Sequence, residues 1–142
     1  MKIKCKRAEQ GFTLLELLVV LGILGLLAGI VAPKVMKHLE AARIKTARMQ
    51  VETLSSALDM YKMDVRRYPT TEQGLKALVE KPSDSKRWNG PYLSKNRIPQ
   101  DPWIQDYHYA SPGQHGKFDL YSYGADDKEG GEGEDQDINS WE

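Results

Sequence analysis

The sequence predicts an α+β chain: a long N-terminal helical spine with a small antiparallel sheet packed on its C-terminal half. Three features carry this expectation. From Phe12 to Ala32 the chain is apolar except for Glu16, and from Val35 to Val65 apolar residues recur every three or four positions. After Asn89 the texture turns to Gly, Pro and aromatic residues around two short β-prone runs. Hydrophobic residues make up 40% of the chain while its mean hydropathy is −0.57. Apolar character is therefore concentrated in one segment rather than spread.

A helix rising about 1.5 Å per residue needs about 20 apolar residues to cross a hydrocarbon layer of about 30 Å, and Phe12–Ala32 meets that length. It is read as a spanning segment. Residues 1–11 hold Lys2, Lys4, Lys6 and Arg7 against Glu9, a net +3, so the rest of this neutral chain carries −3. Basic residues ahead of the span place Met1 on the cytoplasmic side and everything after Pro33 across the membrane. A secretory signal peptide cut near Ala32 is the rival reading. It fits poorly, because the run exceeds the usual h-region, carries Glu16 near its start, and would leave Pro33 directly after the cut.

Beyond Pro33 one helical face is formed by Val35, Leu39, Ala42, Ala47, Val51, Leu54, Leu58, Tyr61 and Val65. Charged residues such as Lys37, Arg48, Glu52 and Asp59 occupy the other. No Gly or Pro lies between Lys34 and Tyr68, so one helix is expected from about Phe12 to Arg67, roughly 80 Å long, kinked at Pro33 and stopped by Pro69. Thr70-Thr71-Glu72-Gln73 has the form of a capping box opening a short helix to about Val79. Tyr107–Ala110 and Phe118–Tyr123 read as two strands joined through Ser111–Gly116. A two-stranded hairpin is marginal alone, so it must pack on the apolar face of the helix.

The neutral balance and the absence of a basic stripe give no support for nucleic-acid binding. Catalysis is not expected either. His38, His108 and His115 lack metal-ligand spacing, and a Ser111–His pair has no third group to orient it. Cys5 is the only cysteine, so no intrachain disulfide forms. Gly25-x-x-x-Gly29 is a small-xxx-small pattern that lets membrane helices approach closely, although Gly is common in such helices.

Glu16 is the informative residue of the span. A carboxylate inside an apolar helix costs a few kcal/mol unless it lies near the interface or finds a partner. It can snorkel to headgroups, or it can pair with an amine on a neighbouring copy if the chain is cut before Phe12. The junction Gly11-Phe12-Thr13-Leu14-Leu15-Glu16 resembles the processing signature of type IV pilins and pseudopilins. That resemblance implies cleavage after Gly11 by a prepilin peptidase, removal of leader 1–11, and N-methylation of Phe12. Residues 12–33 then form the membrane and polymerisation helix and residues 34–142 a periplasmic domain.

Arg67-Tyr68-Pro69-Thr70-Thr71-Glu72-Gln73-Gly74-Leu75, Pro99-Gln100-Asp101-Pro102-Trp103, Ser111-Pro112-Gly113-Gln114-His115-Gly116 and Asp119–Gly124 together resemble the major pseudopilins of type II secretion systems, the protein G family. The likeness covers the chain from Gly11 onward. It implies a non-enzymatic subunit that polymerises with copies of itself into a periplasmic filament and drives export of folded proteins. The partners implied are minor pseudopilins, an inner-membrane platform with its assembly ATPase, and an outer-membrane secretin. A type IV pilin for adhesion or DNA uptake is the alternative. Such pilins often carry a C-terminal disulfide loop, which a chain without cysteine after Gly11 cannot form.

Seven carboxylates lie between Asp126 and Asp137 among Gly130, Gly131 and Gly133. Hard oxygen donors on a glycine-rich turn suit Ca²⁺, although a solvated acidic loop has the same composition. Ile138 and Trp141 are expected to anchor its far end. The family resemblance implies a structural calcium here, held by Asp126, Asp137, a residue just before Asp137 and the carbonyl of Tyr123. Glu134, Asp135 and Gln136 compete for the third place, and Asp135 is favoured for its charge.

Overall fold

The computed structural model describes residues 11–142; the leader residues before Gly11, including Cys5, lie outside the described residues. The order of elements is α1 (Leu14–Val65), a 3₁₀ turn (Leu75–Leu78), β1 (His108–Ala110), β2 (Asp119–Ser122), a second 3₁₀ turn (Gly133–Asp135) and β3 (Ile138–Asn139). The chain divides into two compact units between His38 and Leu39.

In the first unit α1 begins on Thr13. Its hydroxyl accepts the Glu16 N–H at 3.2 Å and its carbonyl accepts the Leu17 N–H at 3.2 Å, which satisfies donors that a helix start leaves open. The apolar side chains of this unit remain exposed, from Phe12 at 76% to Met36 at 65%.

In the second unit α1 buries Ala47, Val51, Leu54, Ala57, Leu58 and Tyr61. Leu75, Ala77, Leu78, Leu93, Tyr107, Leu120 and Ile138 close over that stripe to form the core. The helical period is as expected, but its buried part starts later. Val35 and Leu39 stay exposed, and only from Ile44 does the stripe find a partner. The helix stops at Val65, two residues before the expected end, because Arg66 takes a left-handed φ of 71° while its N–H still bonds the Lys62 carbonyl at 2.8 Å.

The capping box forms as bonds but not as an α-helix. The Thr70 hydroxyl accepts the Gln73 N–H at 3.3 Å, and Gln73 Oε1 accepts the Thr70 N–H at 3.0 Å. Gly74 then adopts φ 57°, so the expected helix to Val79 is replaced by a turn and the 3₁₀ segment Leu75–Leu78. Gln73 Oε1 also accepts from Arg67 at 3.0 Å, and Arg67 pairs with Asp84 at 2.7 Å, locking the chain as it leaves the helix.

The expected two-stranded hairpin is a three-stranded antiparallel sheet in the order β1-β2-β3. Tyr109 faces Leu120, and Ser122 faces Ile138. Ile138 anchors the end of the chain in the core as expected. Trp141 does not: it lies on the surface, stacked on His115 with ring centroids 4.1 Å apart. The amphipathic sheet thus completes itself with two residues from beyond the acidic loop.

Asp119 is buried at the start of β2. Burial opposes its ionisation, but the N–H groups of Gln114 (2.8 Å) and His115 (3.1 Å) and the His115 ring (3.2 Å) outweigh it and hold the carboxyl below its ordinary value. Because the folded pKa is depressed, this contribution to stability is complete above the ordinary carboxylate range and is lost as pH falls toward the folded value. Denaturant titrations should therefore show stability declining in acid. Asp119→Asn should be less stable than the parent at neutral pH and should decline less in acid.

Candidate functional site

Two places hold the residues singled out in the sequence, and they lie in different units. The first is the head of α1. Gly11, Phe12 and Glu16 are all exposed there. Thr13-Leu14-Leu15-Glu16 is itself a Thr-x-x-Glu capping sequence, of which the hydroxyl half is made. The Glu16 carboxylate has no ion-pair partner among the described residues. An 18-residue stretch of this helix has a mean hydropathy of 2.7 and none of it is buried. An apolar helix of this kind needs lipid or other helices around it.

The second place is the acidic loop. Its two arms are joined by the Ala125 N–H, which donates to the Glu134 carbonyl at 2.8 Å. The carbonyl oxygens of Glu134 and Gln136 crowd Gly124 so closely that a Cβ built there would lie 2.5 Å and 2.9 Å from them. With φ 72° as well, this position admits only glycine without strain. Asp137 accepts the Gly130 N–H on both oxygens, at 3.1 and 3.0 Å, and Asp126 caps Lys128 N–H at 3.2 Å.

Of the three residues competing for the remaining place, Glu134 is engaged by Arg43 of α1 at 2.8 Å, and the Gln136 amide donates to the Gly133 carbonyl at 2.9 Å. Asp135 is exposed, with no side-chain partner among the described residues. Tyr123, Asp126, Asp135 and Asp137 thus sit on paired arms and offer only hard oxygen donors, which suit Ca²⁺. Their chemistry fits the ion; among the described residues, however, no three acidic, His or Cys side chains gather into one cluster.

Sequence reasoning missed what holds the loop at its base. Asp101 is 4% exposed. One of its oxygens accepts the N–H groups of Trp103 at 3.0 Å and Gln105 at 2.8 Å, and the other accepts the Ser122 hydroxyl. Ser122 in turn accepts the Gly124 N–H at 3.2 Å. A carboxylate in the Pro99–Trp103 segment therefore fixes the residue at which the acidic loop leaves β2. Arg43–Glu134 was equally invisible, since its members are 91 positions apart. The imagined Ser–His pair is not assembled. His115 is turned to Asp119 and Trp141, and His108 stacks on Tyr121 at 5.0 Å. Ser111 is tied by its backbone to Thr71.

Comparisons with known proteins cover both units. The family model described as "Prokaryotic N-terminal methylation motif" matches residues 6–32, and "Type II secretion system (T2SS), protein G" matches residues 34–141. The type II secretion system core protein G of Pseudomonas aeruginosa is 48% identical over 96% of this chain and 98% of its own. Those of Vibrio cholerae and Escherichia coli are 48% and 44% identical, covering 97% and 94% of this chain and 95% and 91% of theirs. The crystal structure of the major pseudopilin from the type 2 secretion system of enterohaemorrhagic Escherichia coli superposes with a TM-score of 0.63 at 39% identity, covering 75% of this chain and 92% of that one. The matches favour secretion protein G over an adhesive or DNA-uptake pilin. With both of its parts matched and its relatives aligned nearly end to end, the chain belongs to the type II secretion system protein G family.

Proposed function

We propose that this chain is the major, non-enzymatic subunit of a type II secretion pseudopilus. The supporting observation is the apolar head of α1, exposed throughout and interrupted by the single carboxylate of Glu16. Such a helix is stored in the inner membrane with its N-terminus in the cytoplasm and its second unit in the periplasm. A prepilin peptidase cuts after Gly11, and the new amino group of Phe12 is methylated. Glu16 of an incoming subunit then pairs with the N-terminal amine of Phe12 on a neighbour. The growing periplasmic filament, started with minor pseudopilins and driven by the platform and its ATPase, pushes folded proteins toward the secretin. Mass spectrometry of protein extracted from membranes tests this directly. The expected mass begins at methylated Phe12, and a chain starting at Pro33 would refute the reading.

In the second unit, Asp126, Asp135, Asp137 and the carbonyl of Tyr123 are the residues that would hold Ca²⁺, whose charge would neutralise the loop's carboxylates and draw its arms together. The bonds already joining those arms and the freedom of Asp135 support this assignment. An ion that binds only the folded state at a hundredfold over Kd adds about 2.7 kcal/mol. Excess chelator is therefore expected to lower the Tm of the full chain in detergent by on the order of 10 °C, with Asp126→Ala and Asp137→Ala abolishing the difference. A melt indifferent to chelator would remove calcium from the proposal.

A further inference from the structure

The segment that follows the span carries more positive charge than its position calls for. Lys34, Lys37, Arg43, Lys45 and Arg48 stand against Glu40 within 15 residues, a net +4, while the leader holds four basic residues and a net +3. Orientation follows an excess of Lys and Arg on the cytoplasmic side, counted within about 15–20 residues of the span. Five basic residues beyond Pro33 against four in the leader oppose the cytoplasmic placement of Met1 rather than support it, so charge at this position needs another reason. Part of it has a partner inside the chain, since Arg43 binds Glu134. Lys34 and Lys37 are exposed and make no ion pair among the described residues.

Their depth singles these two out. The apolar run ends at Ala32, so Lys34 follows it by two residues and Lys37 by one further helical turn. At about 1.5 Å per residue this puts their Cα atoms about 3–8 Å beyond the hydrocarbon, and the headgroup layer on each side is about 5–7 Å thick. Lysine stems lie along the apolar surface and extend their ammonium groups into that layer. The anions found at this depth are lipid phosphates.

We propose that Lys34 and Lys37 form a clamp for anionic phospholipid headgroups in the periplasmic leaflet, gathering such lipids around each stored subunit. This rests on the membrane reading of α1. The clamp holds the helix at a fixed depth, and its lipids must be released before a subunit can rise into a filament.

The test is energy transfer in vesicles of phosphatidylcholine containing a minor fraction of phosphatidylglycerol. The full chain, with Cys5→Ser and a donor dye on Met36→Cys, is reconstituted alongside acceptor-labelled phosphatidylglycerol or acceptor-labelled phosphatidylcholine. Transfer to phosphatidylglycerol is expected to exceed transfer to phosphatidylcholine. Its local enrichment should fall about fivefold for each lysine removed, in Lys34→Gln and Lys37→Gln, and fall further in Lys34→Glu/Lys37→Glu. High salt should also abolish the preference. If the protein floats with the vesicles but the parent and the charge-reversed variant show the same lipid preference, the clamp is refuted while the membrane reading stands. Unchanged lipid preference accompanied by lost cross-linking between copies would assign the lysines to a subunit contact and also overturn it. Failure of the protein to float at all would sink both.

Discussion

Replacing Asp101 with Ala is expected to destabilise the second unit by about 3–5 kcal/mol, a large share of the roughly 5–15 kcal/mol that a domain of this size possesses. The carboxylate serves three donors at once, the N–H groups of Trp103 and Gln105 and the hydroxyl of Ser122. Its site is almost closed to water. Removing it strands all three donors in a site that bulk solvent barely reaches. Asp101→Asn keeps the shape and one acceptor oxygen, but directs an NH₂ toward at least one of those donors, so it should cost about 2 kcal/mol. Urea denaturation of the full chain in detergent, followed by tyrosine and tryptophan signals, would measure both. Because Ser122 passes the connection on to Gly124, Asp101→Ala should also increase hydrogen exchange across residues 124–137 ahead of the helical core. A loss below 1 kcal/mol would mean that the Pro99–Trp103 segment is held by other contacts.

The second large effect falls on assembly and leaves folding intact. Glu16→Ala is expected to insert into membranes normally and melt like the parent, yet to give at least a hundredfold fewer filaments. The side chain stands exposed on the helix head, and its own N–H is satisfied by Thr13, so its removal disturbs nothing within the subunit. A carboxylate in a low-dielectric bundle without a counter-charge costs a few kcal/mol, and a pair formed across subunits recovers that cost only in one register. Ala removes the cost and the register together. Glu16→Gln should assemble poorly too, since it keeps the shape without the charge. Normal filaments from either variant, counted by electron microscopy of sheared cells, would refute the pairing.

The spine of this fold is legible in the sequence because two physical periods announce it. An apolar run of membrane length is followed by spacings of three and four, and no helix-breaker intervenes after Pro33. Periodicity shows which residues share a face, not what covers that face. Val35, Leu39 and Ala42 continue the spacing of the buried stripe, although burial begins only near Ala47. The Thr70–Gln73 box is readable because its partners are three residues apart, but the left-handed Gly74 that ends it belongs to the turn and left no pattern. β3 is two residues long, shorter than any alternation can register. Asp101–Ser122 and Arg43–Glu134 bring distant residues together, and one sequence without its fold has no means of pairing them. In the acidic loop, composition shows the carboxylates but not their contacts: that Glu134 is held by Arg43 and that the Gln136 amide turns back to Gly133 appears only in the fold.

Between Phe12 and Met36 sixteen large apolar side chains stand uncovered by the rest of the subunit. Immersing them in water would cost on the order of tens of kcal/mol, at about 1.5–3 kcal/mol for each fully exposed side chain. On the proposed assembly a monomer therefore has no aqueous route to the fibre. It would have to slide sideways from oil into the company of its sisters, exchanging one greasy neighbour for another at every step.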